Sequence, residues 1–187
     1  MATKQDPQAG IFENRPEYFQ QFTGTKVPSS ELMTLDYTDK DIAIIGTDQF
    51  TVSQLDKICQ HARSVKVFQI NPAFVIPGSE RILQRIINHP LIGKNRRLFN
   101  NRIKSLLSLR FLEHQVQNLW LRRQLMPNLA SSRKVYLKSD HYYAALQREN
   151  CQLITWPILK ISENTIHCIN GEQHQIDIII HTYSAEK

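Results

Sequence analysis

Two histidines, His167 and His174, stand either side of Asn170-Gly171, each three residues from the nearer turn residue. Asn-Gly between alternating segments predicts a two-residue type I′ hairpin turn, which would place the two imidazoles opposite each other. Paired imidazoles could hold a metal ion. No third ligand stands at a suitable spacing, and histidines on a solvent face are ordinary, so no metal site is expected. The three cysteines, Cys59, Cys151 and Cys168, are far apart and include no C-x-x-C. That spacing argues against a zinc knuckle or a disulfide framework. No histidine and aspartate pattern marks any of them as a nucleophile. The chain has six glycines in 187 residues, and no two form G-x-G. An intact dinucleotide fingerprint, a Walker A loop, a collagen repeat and a Gly/Ser linker are all excluded by that count.

The charge is concentrated. Between Arg81 and Lys134 lie twelve Lys/Arg and one acid, Glu113, a net +11, whereas the whole chain carries +6. Arg96, Arg97, Arg102, Lys104, Arg110, Arg122 and Arg123 alternate with leucines, Phe111 and Trp120. Such a segment could meet nucleic acid, an anionic lipid surface or an acidic partner. The alternative is that these arginines coat the outer face of ordinary helices. No helix-turn-helix, RRM or zinc-finger pattern is present, so nucleic acid is not an expected partner. The first residues lack the apolar core of a signal peptide, and no apolar run reaches the roughly 18 residues of a membrane span. A cytoplasmic location without a transmembrane segment is the expectation.

The elements that must position these residues read as an α/β pattern. Residues 1–40 are polar, with Pro7, Pro16 and Pro28, and read as an irregular arm. Ile42-Ala43-Ile44-Ile45 is a short apolar run ending at Gly46, as expected of a strand buried on both faces. A helix capped by Thr51 or Ser53 follows, with Leu55, Ile58, Cys59 and Ala62 on one face. Val65–Phe68 is the next strand, completing a βαβ unit. From Ser79 to about Gln124 helical spacing predicts two or three helices, broken by Pro90 and Gly93. Strands are then predicted at Val135–Leu137, Cys151–Ile154 and Ile158–Ile161, with a short helix capped by Ser139 or Asp140 running to about Arg148. Thr165–Ile169 and Glu172–Ile176 form the hairpin, and Ile178–Ile180 is a last buried strand.

In order and spacing, Ile42–Thr47, Ser64–Pro77, Leu121–Leu129, Ser139–Asn150 and Ile169–Ile180 resemble the NADPH-binding domain of flavin-dependent monooxygenases, nearest the Baeyer–Villiger branch and its flavin-containing relatives. The likeness runs from about Tyr18 to the end. It implies a Rossmann-like NAD(P)-binding domain with a parallel sheet over 41–187, a helical insertion at about 79–131 and a β-hairpin, preceded by the arm at 1–40.

The same resemblance implies that the chemistry residues have changed. The family's G-x-G-x-x-G/A falls on Gly46-Thr47-Asp48-Gln49-Phe50-Thr51, so Asp48 replaces the glycine that lets a pyrophosphate approach. A plainer reading of Asp48 is a carboxylate set against a helix dipole. The arginine that pairs with a 2′-phosphate falls on Ile70, which offers no donor. The fingerprint F-x-G-x-x-x-H-x-x-x-W-P/D falls on Phe22, Gly24, Pro28, Leu32 and Met33, without its histidine or tryptophan. The Lys-Arg pair near the nicotinamide reads Lys134-Val135, and the closing A-T-G reads Thr182-Tyr183-Ser184. Nothing in residues 1–40 resembles a glycine turn for FAD. The expectation is therefore a truncated, catalytically inactive homologue of an NADPH- and FAD-dependent monooxygenase, with no catalytic residues and no FAD site. NADPH would bind weakly at best, through Gly46, Thr47, Gln69 and Lys134. Its alternative role is an interaction module whose basic helices meet an acidic partner or anionic surface, or which docks a separate FAD-bearing chain.

Overall fold

The apolar run at 42–45 is the middle of a parallel sheet with covered faces. The computed structural model describes residues 19–79, 101–131 and 134–182. Its strands are β1 (Thr25–Pro28), β2 (Asp41–Ile45), β3 (Ser64–Phe68), β4 (Phe74–Ile76), β5 (Tyr136–Lys138), β6 (Cys151–Ile154), β7 (Ile158–Ser162), β8 (Thr165–Cys168), β9 (Gln173–Gln175) and β10 (Ile178–His181). Its helices are α1 (Gln49–His61), α2 (Asn101–Gln115), α3 (Leu119–Gln124) and α4 (Tyr142–Ala145). Five strands form one parallel sheet in the order β1-β10-β2-β3-β6. This is the α/β architecture expected from the sequence.

Period-two alternation sorts the core onto two faces. Ile42, Ile44, Val65, Val67, Ile178 and Ile180 pack with Leu55 and Ile58 of α1, Phe111 and Leu112 of α2, and Tyr143. Ala43, Ile45, Phe68, Ile154 and Ile179 pack instead under Ile158, Ile161 and Ile166 of the antiparallel β7-β8-β9 ribbon and Ile176 just after it. Each fully buried isoleucine contributes about 1.5–3 kcal/mol relative to exposure. Helices therefore cover one face of the sheet and a β-ribbon covers the other.

Four local features differ from the sequence expectation. Residues 25–34, read as irregular, form β1 and a 3-10 helix at Ser29–Thr34. β1 exists through its register with β10, Thr25 beside Ile178 and Pro28 beside His181, and Pro28 is tolerated because the strand is at the sheet edge. Strand β4 was not anticipated; its three residues are ordered by parallel pairing with β5. The cap of α1 is Asp48, not Thr51 or Ser53. The hairpin turn holds three residues, not two. Cys168 N–H donates to Glu172 O at 2.9 Å, Gly171 N–H donates to Cys168 O at 3.1 Å, and Gly171 takes φ +89°. A left-handed glycine closing a three-residue loop is the common alternative to a type I′ turn.

That extra loop residue slips the register by one, and a one-residue slip exchanges the faces. His167 pairs with Gln173, and His174 pairs with Ile166. The cross-strand histidine pair therefore does not form. His174 faces the core against the Phe68 ring, with centroids 5.8 Å apart, while His167 Nε2 is 2.8 Å from Ser162 Oγ. No cluster of three or more metal-ligating side chains occurs among the described residues. In the expected helical insertion, α2 and α3 are present; Arg81–Leu98, with Arg96 and Arg97, lies outside the described residues, as do residues 1–18, Tyr183 and Ser184.

Candidate functional site

In an open parallel sheet, ligands sit beyond the carboxyl ends of the strands where the strand order reverses. Here that point is the seam between β2, which leads through α1 to β3 on one side, and β10 on the other. Gly46 ends β2 there with φ +90°. A Cβ at this position would stand 2.1 Å from Thr182 Oγ1, so both conformation and space demand glycine. Thr182 is anchored across the seam, its N–H donating to Ile45 O at 3.1 Å.

Two residues on, Asp48 caps α1. Its Oδ1 accepts the Thr51 N–H at 2.8 Å, and Thr51 Oγ1 accepts the Asp48 N–H at 3.0 Å, a reciprocal capping box. The other carboxylate oxygen, Oδ2, accepts the Ser29 hydroxyl from the 3-10 helix. A first-turn donor of α1 is thus satisfied by the protein's own anion. Gln49, the first helical residue, is also engaged: its amide donates to Lys138 O and accepts from Lys138 N–H, each at 2.9 Å, which ties α1 to β5.

Of the four residues singled out for nucleotide contact, three come together. Gly46 and Thr47, both half-buried, line a narrow seam with Thr51, Leu55 and Tyr142 that does not admit a water molecule. Gln69, directly after β3, is buried, and its Oε1 accepts the Tyr142 hydroxyl at 2.8 Å. Burial pushes the Tyr142 phenol far above its ordinary range, with the Tyr143 hydroxyl a further cause, so it is a fixed donor and not a base. Lys134 is elsewhere: its ammonium lies over the Phe74 ring, 5.6 Å from the centroid, beside the β4–β5 pair. Neighbouring Val135 is 65% exposed. Ser29 and Tyr142 are the participants that sequence reasoning missed. Neither carries a local signal, because each reaches the seam from a distant element.

The fingerprint positions read from the sequence have structural roles. Phe22 and Leu32 are buried in opposite clusters. A Cβ on Gly24 would stand 2.5 Å from Asp177 O, so this glycine lets the chain pass close to the entry to β10. In the described part of the basic segment, Arg102, Lys104, Arg110, Arg122 and Arg123 accompany a single acid, Glu113. Arg122 donates to Val116 O at 2.7 and 2.9 Å, and Arg110 meets Glu113 at 3.2 Å. No helix among the described residues is long and apolar enough to cross a membrane.

No family model matches the chain. Its curated relatives are monooxygenases. A Baeyer-Villiger monooxygenase of Pseudomonas aeruginosa is 26% identical over 167 residues, 78% of this chain and 32% of that protein. The FAD-binding monooxygenase ktnD of Aspergillus niger is 25% identical over 185 residues, 85% of this chain and 30% of that protein. The chain therefore spans about a third of the length of the relatives it matches. Solved structures share the fold: cyclohexanone-bound cyclohexanone monooxygenase in its Rotated conformation superposes with a TM-score of 0.73 at 14% identity, over 93% of this chain and 46% of that one. Oxidized steroid monooxygenase bound to NADP gives 0.67 at 19% identity, over 90% of this chain and 44% of that one. The chain is thus similar to one part of the Baeyer–Villiger and FAD-binding monooxygenases, as its motifs implied.

Proposed function

We propose that this stretch of chain is a catalytically inactive scaffold of the NADPH-domain type, in which an internal carboxylate stands where a dinucleotide's pyrophosphate would need a glycine. The observation that carries this reading is the Asp48 cap, held by the Thr51 amide and the Ser29 hydroxyl. A pyrophosphate needs free first-turn amides and no nearby anion. Two like charges 4 Å apart repel by about 1 kcal/mol in water and about 4 kcal/mol at a protein surface. Thr182 closes over Gly46, and Gln69 spends its side-chain acceptor on Tyr142. The residues present do not fit a dinucleotide, so no hydride step is assigned to them. NADPH would bind weakly at best. Thermal melting with NADPH and with NADP⁺ tests this: the expected result is no shift in midpoint and no loss of reduced-nicotinamide absorbance. A saturable rise in midpoint, or steady NADPH consumption by the purified chain, would overturn it.

A second reading, an interaction module, draws on α3. None of its six residues is buried, and Leu119 and Trp120 are 68% and 69% exposed beside Arg123. An apolar pair within a cationic field suits an acidic partner or an anionic surface. Co-sedimentation with phosphatidylserine vesicles at low and high salt, for the parent and for Trp120→Ala/Arg123→Glu, tests the surface version. Salt-sensitive binding lost in the variant supports it; equal sedimentation of both proteins discards it.

A further inference from the structure

The loop that joins β8 to β9 carries the one Asn-Gly pair of the sequence, Asn170-Gly171. Both residues are exposed, and a Cβ built on Gly171 would have nothing within 4 Å. Joining Asn170 Cγ to the Gly171 nitrogen closes a five-membered ring, and glycine brings no side chain to crowd that nitrogen. The electrophile is already polarised: Asn170 Oδ1 accepts the Glu172 N–H at 3.1 Å, so a donor sits on the oxygen that gains charge when Cγ is attacked. Other asparagines lack this combination. Asn71 precedes Pro72, which has no N–H, and Asn164 precedes β-branched Thr165. The Asn150 carboxamide donates to the carbonyls of Cys59 at 2.8 Å and Ala62 at 3.0 Å, and the N–H of the buried Cys151 that follows donates to Arg148 O.

We propose that Asn170 is a site of spontaneous deamidation, with water as the co-reactant, which makes the hairpin tip acidic and, in its isoaspartate form, lengthens the loop. The Gly171 N–H first leaves Cys168 O, its acceptor at 3.1 Å, a local opening of an exposed loop. The nitrogen gives its proton to solvent base and attacks Asn170 Cγ. The N–Cγ bond forms, the Cγ–Nδ2 bond breaks, and Nδ2 departs as ammonia with a proton from water, leaving a succinimide. Water then opens the ring. Cleavage of the N–Cγ bond gives aspartate; cleavage between the Gly171 nitrogen and the Asn170 carbonyl carbon gives isoaspartate, whose chain runs through Cγ. Either route consumes one water and releases one ammonia. Isoaspartate places one more carbon in a loop whose length sets which residues of β8 and β9 face each other, His167 with Gln173 and Ile166 with His174.

The test is timed incubation of the whole chain in mildly alkaline buffer, followed by peptide mapping, beside a synthetic peptide of residues 165–175. The expected result is the one-unit mass gain of amide becoming acid, confined to the peptide that holds Asn170. That peptide should split into aspartate and isoaspartate forms, the second labelled by an isoaspartyl methyltransferase. Conversion should be several-fold faster in alkaline than in neutral buffer, and Asn170→Gln should abolish it. Mapping on the parent chain decides the matter even if a variant folds poorly. A folded chain left unchanged while the free peptide converts, or a first mass gain at another asparagine, would overturn the proposal. Amide exchange tests the lengthening: the isoaspartate form should lose protection in the β8–β9 pair, and Asn170→Asp, which adds the charge alone, should keep it. Equal protection in the two would overturn the effect on register.

Discussion

Gly46 and Gly171 share a positive φ and have opposite surroundings. Their φ angles are +90° and +89°. A Cβ at Gly46 would meet Thr182 at 2.1 Å, whereas one at Gly171 would have nothing within 4 Å. One glycine closes a seam between two central strands, and the other closes a surface loop. The difference separates what a turn asks of its backbone from what an enclosed site asks of its volume. At the first of these glycines, threonine, tyrosine and aspartate side chains gather at the carboxyl end of the parallel sheet.

The sharpest way to break the comparison is Gly46→Ala. Left-handed strain and the clash with Thr182 together should cost about 3 kcal/mol, read as a fall in the urea midpoint. Adding Thr182→Ala should return the steric share but not the conformational one, and the double-mutant cycle should show a coupling of about 1 kcal/mol or more. Additive effects would mean that the seam opens freely and is not as narrow as described. Next in size is Asp48→Ala, which removes the acceptor for the Thr51 amide and the Ser29 hydroxyl. A lost N-cap costs about 1–2 kcal/mol, and the same chemical denaturation series measures it. A neutral result would break the claim that the carboxylate is the helix's own ligand.

Gly171→Ala should cost only about 1 kcal/mol, because the strain of a left-handed alanine remains and no clash adds to it. If Gly46→Ala and Gly171→Ala proved equal, volume would contribute nothing at the seam. Gly171→Asn should recover part of the loss, since asparagine visits this conformation more readily. Amide exchange of the β8–β9 pair reports whether the register holds in both variants.

What was legible in the sequence follows the same division between local and enclosed. Strands β2 and β10 announce themselves as apolar runs buried on both faces, and β3 and β6 as short runs rich in apolar residues around Lys66 and Gln152. β1 and β4 do not, because three or four residues become a strand only through partners far along the chain, Thr25 with Ile178 and Phe74 with Tyr136. Asn170-Gly171 announces a turn, yet the dipeptide serves both a two-residue and a three-residue loop, and the choice decides whether His174 shares the face of His167 or lies on the opposite one. At the seam, Gly46 and Asp48 are visible by their positions after β2. Of their partners, Thr182 is visible through the closing motif, but Ser29 and Tyr142 are not, since each arrives from a distant element. Thr51 and Ser53 are as good capping types as Asp48; it is the hydroxyl of Ser29 that completes the Asp48 arrangement.

The smallest predicted effect tests whether the hairpin's slipped register is real in solution. His174 faces Phe68 and is buried enough that desolvation lowers its pKa below the ordinary 6.5; the Lys66 charge lowers it further, and Glu172, 3.7 Å from Nε2, opposes both. A depressed folded-state pKa means that the unfolded chain binds the proton first. Stability is therefore complete above about pH 6.5 and is lost as pH falls through the lower folded value. Urea midpoints taken between about pH 7.5 and pH 5 should decline in the parent, while His174→Gln should flatten the part of the decline that begins near pH 6.5. Had the two-residue turn formed, His174 would lie opposite His167 on the exposed face. Its substitution would then leave the profile unchanged. An unaltered profile in His174→Gln would thus restore the open turn and remove the contrast between the two glycines on the hairpin side.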